Sequence, residues 1–237
     1  MPPETLSSFM EPLIGSVTGF LKMGGPAMWA IAALSVLTLT VALWKALQLM
    51  WFGAWSGGAQ TERALALWAR GERGAAVSVL QGRRSLRARL AHAAMLAASD
   101  PALSVEAAQA ETLRVARGLL ERARAGLRAL ELFATIGPLL GLFGTVTGMI
   151  SAFQALQEAG TRADPATLAG GIWEALLTTA AGMAVAIPAQ IALTWFDAVL
   201  ARVRHDMEDC ATRVFVPRPA RSLPAKEQPS EAMIAAE

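Results

Sequence analysis

The chain has 237 residues, of which 54% are apolar, 6% aromatic and 17% charged, with no tyrosine and a formal charge of +2. A soluble domain carries about a quarter charged residues, so this composition points to a membrane protein, and the scatter of arginines among acids along helical stretches, without stacking aromatics, speaks against nucleic-acid binding. The single cysteine, Cys210, excludes an internal disulfide; His92 and His205 are too isolated for a histidine-rich metal centre, and no metal or other cofactor is expected.

Residues 1–22 place Leu6, Phe9, Met10, Leu13, Val17, Phe20 and Leu21 at helical spacing, interrupted by Pro12, which reads as an amphipathic segment on the periplasmic membrane surface. The segment has no arginine and only a short apolar stretch, unlike a cleavable signal, and is expected to be retained. The first transmembrane helix is read over 23–52. Between Lys22 and Lys45 lie 22 uncharged residues, enough to cross the hydrocarbon, with Trp29 and Trp44 near the two headgroup levels and Trp51 and Trp55 extending the second belt.

Residues 53–130 form a cytoplasmic helical region with 12 arginines among alanines and leucines. Ser99-Asp100-Pro101 reads as a helix start, from which one long helix is expected to run toward Gly137-Pro138. The second transmembrane helix covers 131–157, since Glu131 and Glu158 bracket 26 uncharged residues. A periplasmic loop, 158–164, ends in a second cap-and-proline start at Asp164-Pro165. The third transmembrane helix covers 165–196. Its length, about 48 Å at 1.5 Å per residue, exceeds what a bilayer needs, so one end projects into a cytoplasmic extension, 197–216. Residues 217–237, rich in proline, serine and charge, read as a disordered tail.

The fold expected is therefore all-α: a polytopic membrane protein with three transmembrane helices, the second and third extended into the cytoplasm. The 59–130 region carries 12 Lys and Arg and the tail after Asp197 carries six, against Lys22 and Arg162 on the other side. Basic residues collect on the cytoplasmic face, so the N-terminus is expected in the periplasm and the C-terminus in the cytoplasm.

Glu174 is the sharpest chemical feature. It lies nine residues after Pro165, about 13 to 14 Å along a helix, and a carboxylate inside an apolar span normally faces a protein interior or a water path. A glutamate reaching back to the periplasmic surface is the structural alternative. On a helical wheel Gly170, Thr178, Ala181 and Val185 fall within roughly 40° of Glu174, and Thr179 lies about 140° away. In the second span Gly137 and Gly141, then Gly144 and Gly148, make two small-xxx-small pairs that allow close helix approach. Thr145 adds a hydroxyl one turn after Gly141, and Pro188 stands inside the third span.

The stretch Gly137-Pro138-Leu139-Leu140-Gly141-Leu142-Phe143-Gly144-Thr145-Val146-Thr147-Gly148, the short connection after it, and Gly171-Ile172-Trp173-Glu174-Ala175-Leu176-Leu177-Thr178-Thr179-Ala180-Ala181-Gly182 through Ala186-Ile187-Pro188-Ala189 together resemble the MotA/TolQ/ExbB proton-channel family. The match is detailed over roughly 130–196, while the first span and the cytoplasmic helices agree in arrangement; the Gly24-Gly25-Pro26 entry to the first span resembles ExbB-like members. The resemblance implies a bacterial inner-membrane homopentamer around a dimer of an ExbD/TolR-type single-span partner, conducting protons to drive a TonB- or TolA-type protein across the periplasm. It implies Glu174 as the third-helix glutamate, Thr145 as the second-helix threonine and Thr179 as the third-helix threonine of the proton pathway. Thr178 enters as a further candidate from the wheel, and Gly137, Gly141, Gly144, Gly148, Gly182 and Pro188 are assigned to helix packing.

Two other classes of function fit these residues less well. An intramembrane hydrolase needs a nucleophile and a base at membrane depth, but both histidines lie outside the spans and Ser151 has no such partner. A non-conducting scaffold explains the glycines but gives Glu174 no role.

Overall fold

The computed structural model describes residues 24–51, 58–160 and 164–216, together with Gly15, Thr18, Gly19 and Leu21. The amphipathic segment read over 1–22, apart from those four residues, and the tail read over 217–237 lie outside the described residues. Among the described residues every regular element is helical: α1 Gly25–Trp51, α2 Gly58–Ala69, α3 Arg73–Leu80, α4 Leu86–Ser99, α5 Val105–Arg124, α6 Leu127–Ala159 and α7 Pro165–Phe215. Three helical stretches are long and apolar enough to cross a membrane, α1, the stretch ending in α6, and α7. The chain is thus an all-α polytopic membrane protein. The outward faces of these helices carry exposed large apolar side chains, among them Leu39, Phe143, Ile150, Trp173 and Ile191, as lipid-facing or partner-facing surfaces do.

The residues divide into two compact units. The first comprises α1 to Leu49, α6, and α7 to Leu200. Its framework is an antiparallel pairing of α6 with α7: positions 137, 141, 148 and 152 of α6 stand against 182 and 186, 178 and 179, 175, and 171 of α7. The approach is closest where Gly182 meets Gly137, since a Cβ built on Gly182 would lie 2.5 Å from the Gly137 carbonyl oxygen. That neighbour is backbone and cannot rotate away, so only glycine fits. Both helices run on through an internal proline, Pro138 in α6 and Pro188 in α7, which membrane helices tolerate when surrounding groups satisfy the freed carbonyl.

The helix expected to run unbroken from Pro101 is divided. Pro101 lies in a turn, and α5 starts four residues later, where the Ser104 hydroxyl accepts from Ala107 N at 3.2 Å. The chain then breaks again at Ala125-Gly126, where Gly126 has φ +85°. Glycine is required there on two counts: the left-handed backbone, and the Trp44 ring, which a Cβ would meet at 2.8 Å. Lys45 secures this joint. Its side chain is fully buried, and Nζ donates to Gln48 Oε1 at 2.8 Å, to Ala125 O at 2.6 Å and to Ala123 O. The last carbonyls of a helix have no intrahelical donors, so the ammonium both satisfies the end of α5 and complements its dipole.

The second unit packs α2, α3 and α4 around the last turns of α7. Alanines at 64, 76, 88, 91 and 94 allow close contact, with Leu65, Trp68, Leu80, Met95, Cys210 and Val214 filling the core. Trp68 Nε1 donates to Val214 O at 3.0 Å, another orphan carbonyl at a helix end. Arg213 makes a two-pronged bond to Glu62, 2.8 and 2.9 Å, and Arg87 pairs with Asp206.

Two outcomes follow from this packing. Gly182→Ala forces α6 and α7 apart and lowers the melting temperature of the purified chain, at an overpacking cost of about 1–3 kcal/mol. Gly170→Ala, on the same helix with nothing within 4 Å of the added carbon, leaves it unchanged or slightly raised. Lys45→Met strands the Ala123 and Ala125 carbonyls, at about 1–3 kcal/mol for a buried group left unpaired, and quickens tryptic cleavage after Arg124. Unchanged cleavage there contradicts the role given to Lys45.

Candidate functional site

The pairing of α6 with α7 gathers the polar residues of the first unit at one level. Thr178 is 2% exposed and lies in the helix interface, its hydroxyl donating to Ala175 O at 2.7 Å and reaching Gly141 O at 3.4 Å. Any Cβ on Gly144 would strike that hydroxyl at 2.5 Å, so Thr178 fills the notch that the glycine leaves. Thr179 is half-buried and donates across to the same Gly141 carbonyl at 3.1 Å. The two threonines thus share one acceptor but differ in surroundings: Thr178 is enclosed by its own chain, and Thr179 keeps part of its surface open.

Thr145 follows Gly144 and is therefore level with these threonines, but it faces elsewhere. Its hydroxyl donates to Leu142 O at 2.6 Å. With Val146, Met149, Ile150, Phe153, Gln154 and Gln157 it lines a groove of about 560 Å³ along α6, apolar apart from that hydroxyl and the two amides.

Glu174 is half-buried, one turn toward the start of α7 from Thr178. Its Oε1 stands beside Gly25, 3.3 Å from where a Cβ would be, at the first residue of α1. The free N–H groups at a helix start carry partial positive charge and favour an anion, and the carboxylate lies beside such a start. The Cβ of Ala27, one residue past Pro26, also closes on Gly144, which brings the start of α1 against both α6 and α7. Gly25 has φ +59°; with Pro26 fixed in the first turn, the Gly24-Gly25-Pro26 sequence turns the chain into α1 beside the acid.

The structure therefore brings Glu174, Thr178 and Thr179 onto the α7 face that meets α6 and α1, and sets Thr145 on a neighbouring groove. Gly137, Gly141, Gly144, Gly148 and Gly182 all lie at the α6–α7 contact, and Pro188 continues α7 beyond it. Reading the sequence missed three participants. The α1 start beside Glu174 was signalled only by the Gly-Gly-Pro turn. Gln154 and Gln157 in the groove were passed over as uncharged span residues. Lys45, a span's edge by its charge, is buried at the α5–α6 joint. As for other chemistry, the Ser151 hydroxyl donates to Thr147 O of its own helix at 3.1 Å.

Comparison with known proteins bears on the same regions. The model of the MotA/TolQ/ExbB proton channel family matches residues 82–209, which takes in α4 to α7. An ExbB-like biopolymer transport protein of Synechocystis is 37% identical over 194 residues, 79% of this chain and 72% of that protein. Biopolymer transport protein exbB1 of Vibrio cholerae is 41% identical over 86 residues, 35% of this chain and 38% of its own length. The Tol-Pal system protein TolQ of Pseudomonas aeruginosa is 40% identical over 103 residues, 42% of this chain and 44% of its own length, so the chain spans less than half of these last two relatives. With the family model covering more than half of the sequence and the Synechocystis protein aligned along most of both chains, this protein belongs to the MotA/TolQ/ExbB proton channel family as an ExbB-like member.

Proposed function

We propose that the chain is the proton-conducting subunit of an ExbB/TolQ-type inner-membrane motor, which couples the proton-motive force to work across the periplasm in TonB-dependent import. The observation that carries the reading is the setting of Glu174, an ionisable group within a membrane span, against a helix start, on the same helix as Thr178 and Thr179. An acid in a span, even half-buried, costs free energy that a purely structural helix has no reason to bear. A carboxyl group can take and release a proton, and threonine hydroxyls both donate and accept, so Thr179 and Thr145 can hold water or pass a proton on surfaces that a neighbouring chain would cover. Thr178, enclosed within its own chain, serves packing.

In this reading the chain assembles as a homopentamer around an ExbD/TolR-type single-span partner, whose own ionisable group completes the path. The open groove beside Thr145 and the half-open Thr179 are the surfaces that such neighbours would meet. Import through a TonB-type protein is favoured by the ExbB names of the relatives. The similarity to TolQ supports a second reading, envelope maintenance with a TolA-type protein; the identity of the partner that co-purifies decides between them.

The test is proton uptake into proteoliposomes holding the chain with its single-span partner. Glu174→Gln keeps the shape, loses the exchangeable proton and is expected to abolish uptake with assembly intact; undiminished uptake sinks the proposal. Thr145→Val and Thr179→Val each lower uptake severalfold or more. Thr178→Val leaves uptake near native and costs about 0.6 kcal/mol in stability, the usual size of a membrane hydrogen bond.

The orientation proposed from the basic residues, N-terminus periplasmic and C-terminus cytoplasmic, is open to thiol labelling of intact cells. Cys210 is silent in such an assay, because burial first and then the charges of Asp209 and Glu62 push its thiol up to about 11. New cysteines at exposed positions therefore report alone. Glu158→Cys, at the end of α6, is expected to react with an impermeant reagent from outside, and Gln109→Cys, on α5, only after lysis. The opposite pattern reverses the topology.

A further inference from the structure

Trp51, the last residue of α1, is 77% exposed, and it shares a pocket of about 640 Å³ with Gly82, Arg83, Arg84 and Arg89. All five belong to the second unit. The pocket is shaped by the turn between α3 and α4. Gly82, at φ +73°, reverses the chain, Arg83 N donates back to Leu80 O at 3.2 Å, and Ser85 caps α4 by accepting from Ala88 N at 3.3 Å. Arg89 follows one turn into α4, so three guanidinium side chains line the same pocket as the indole. All three are exposed, and among the described residues the ion pairs run between other groups.

We propose that this pocket binds the phosphate-bearing headgroup of an anionic phospholipid from the surrounding leaflet. Three cations with no carboxylate partner among the described residues select an anion, and the guanidinium fork suits phosphate oxygens. Trp51 decides the source of that phosphate. An indole at the end of an apolar span sits at headgroup level, where it covers the glycerol and the first carbons of the acyl chains, a contact that free phosphate or an acidic peptide lacks. Basic pockets beside membrane helices bind anionic headgroups in this manner, with each arginine strengthening the attraction. The site lies apart from Glu174 and its threonines in residue and in chemistry, and it stands whether or not the chain conducts protons.

The experiment is native mass spectrometry of the full chain, purified with its partner in detergent and titrated with phosphatidylglycerol or phosphatidylcholine. The native chain is expected to hold phosphatidylglycerol at least tenfold more tightly than phosphatidylcholine. Arg83→Gln with Arg84→Gln removes that preference. The same charge change at Arg117 and Arg122, exposed on α5, preserves it, and Trp51→Ala weakens both lipids. Equal affinity for the two lipids, or equal losses in the two double variants, overturns the site. Inorganic phosphate displacing the lipid at comparable concentration makes it a free-anion site, and oligoglutamate doing so makes it a protein-docking surface; either result also overturns the proposal.

Discussion

The first unit depends on the approach of α6 to α7, where the Gly182 backbone lies against the Gly137 carbonyl with no room for a Cβ. In a bilayer, apolar side chains gain little by leaving lipid for protein, so association rests on close van der Waals contact and hydrogen bonds across the seam. The glycines supply the first. Gly141 supplies part of the second, because without a side chain its carbonyl is reachable by both Thr178 and Thr179. The packing and the placement of the polar groups are one arrangement: widening the seam by a methyl group would detach the threonines from their acceptor.

The same seam gives Glu174 its surroundings. Lying one turn from Thr178, it is held on the side of α7 that α1 reaches, and the start of α1 offers a dipole where a fully apolar span would offer none. Away from the site, polar groups in this chain settle helix ends: Lys45 at the end of α5, Trp68 at the end of α7. In each case a side chain from another helix supplies the donor that the terminal turn lacks.

Much of this was legible in the sequence, for a physical reason. Crossing hydrocarbon demands long uncharged runs, and close approach demands small residues at spacings of four, so the spans and the glycine seam are written in local pattern. Asp164-Pro165 also read true as a helix start, with Asp164 Oδ1 accepting from Ala166 N at 2.9 Å. Ser99-Asp100-Pro101 carried the same local signal and begins no helix; the start falls to Ser104, because cap chemistry allows several starts and tertiary packing selects one. Lys45 was misread because charge in a sequence marks a span's edge by default, while its actual acceptors lie 78 and 80 residues away. The wheel puts Thr178 on the stripe of Glu174, but a wheel shows no neighbours and so could not tell an enclosed hydroxyl from an open one. The Trp51 pocket joins residues over 30 positions apart in sequence and was not visible until the turn at Gly82 brought them together.

The central claim is that Glu174 exchanges a proton within the membrane. Infrared difference spectroscopy of the chain assembled with its single-span partner, recorded across a pH titration, tests it at the group itself. The account predicts a protonated-carboxyl band that grows as pH falls in the native protein and is missing, with the rest of the spectrum unchanged, in Glu174→Gln. Identical carboxyl difference bands in the two proteins would contradict it.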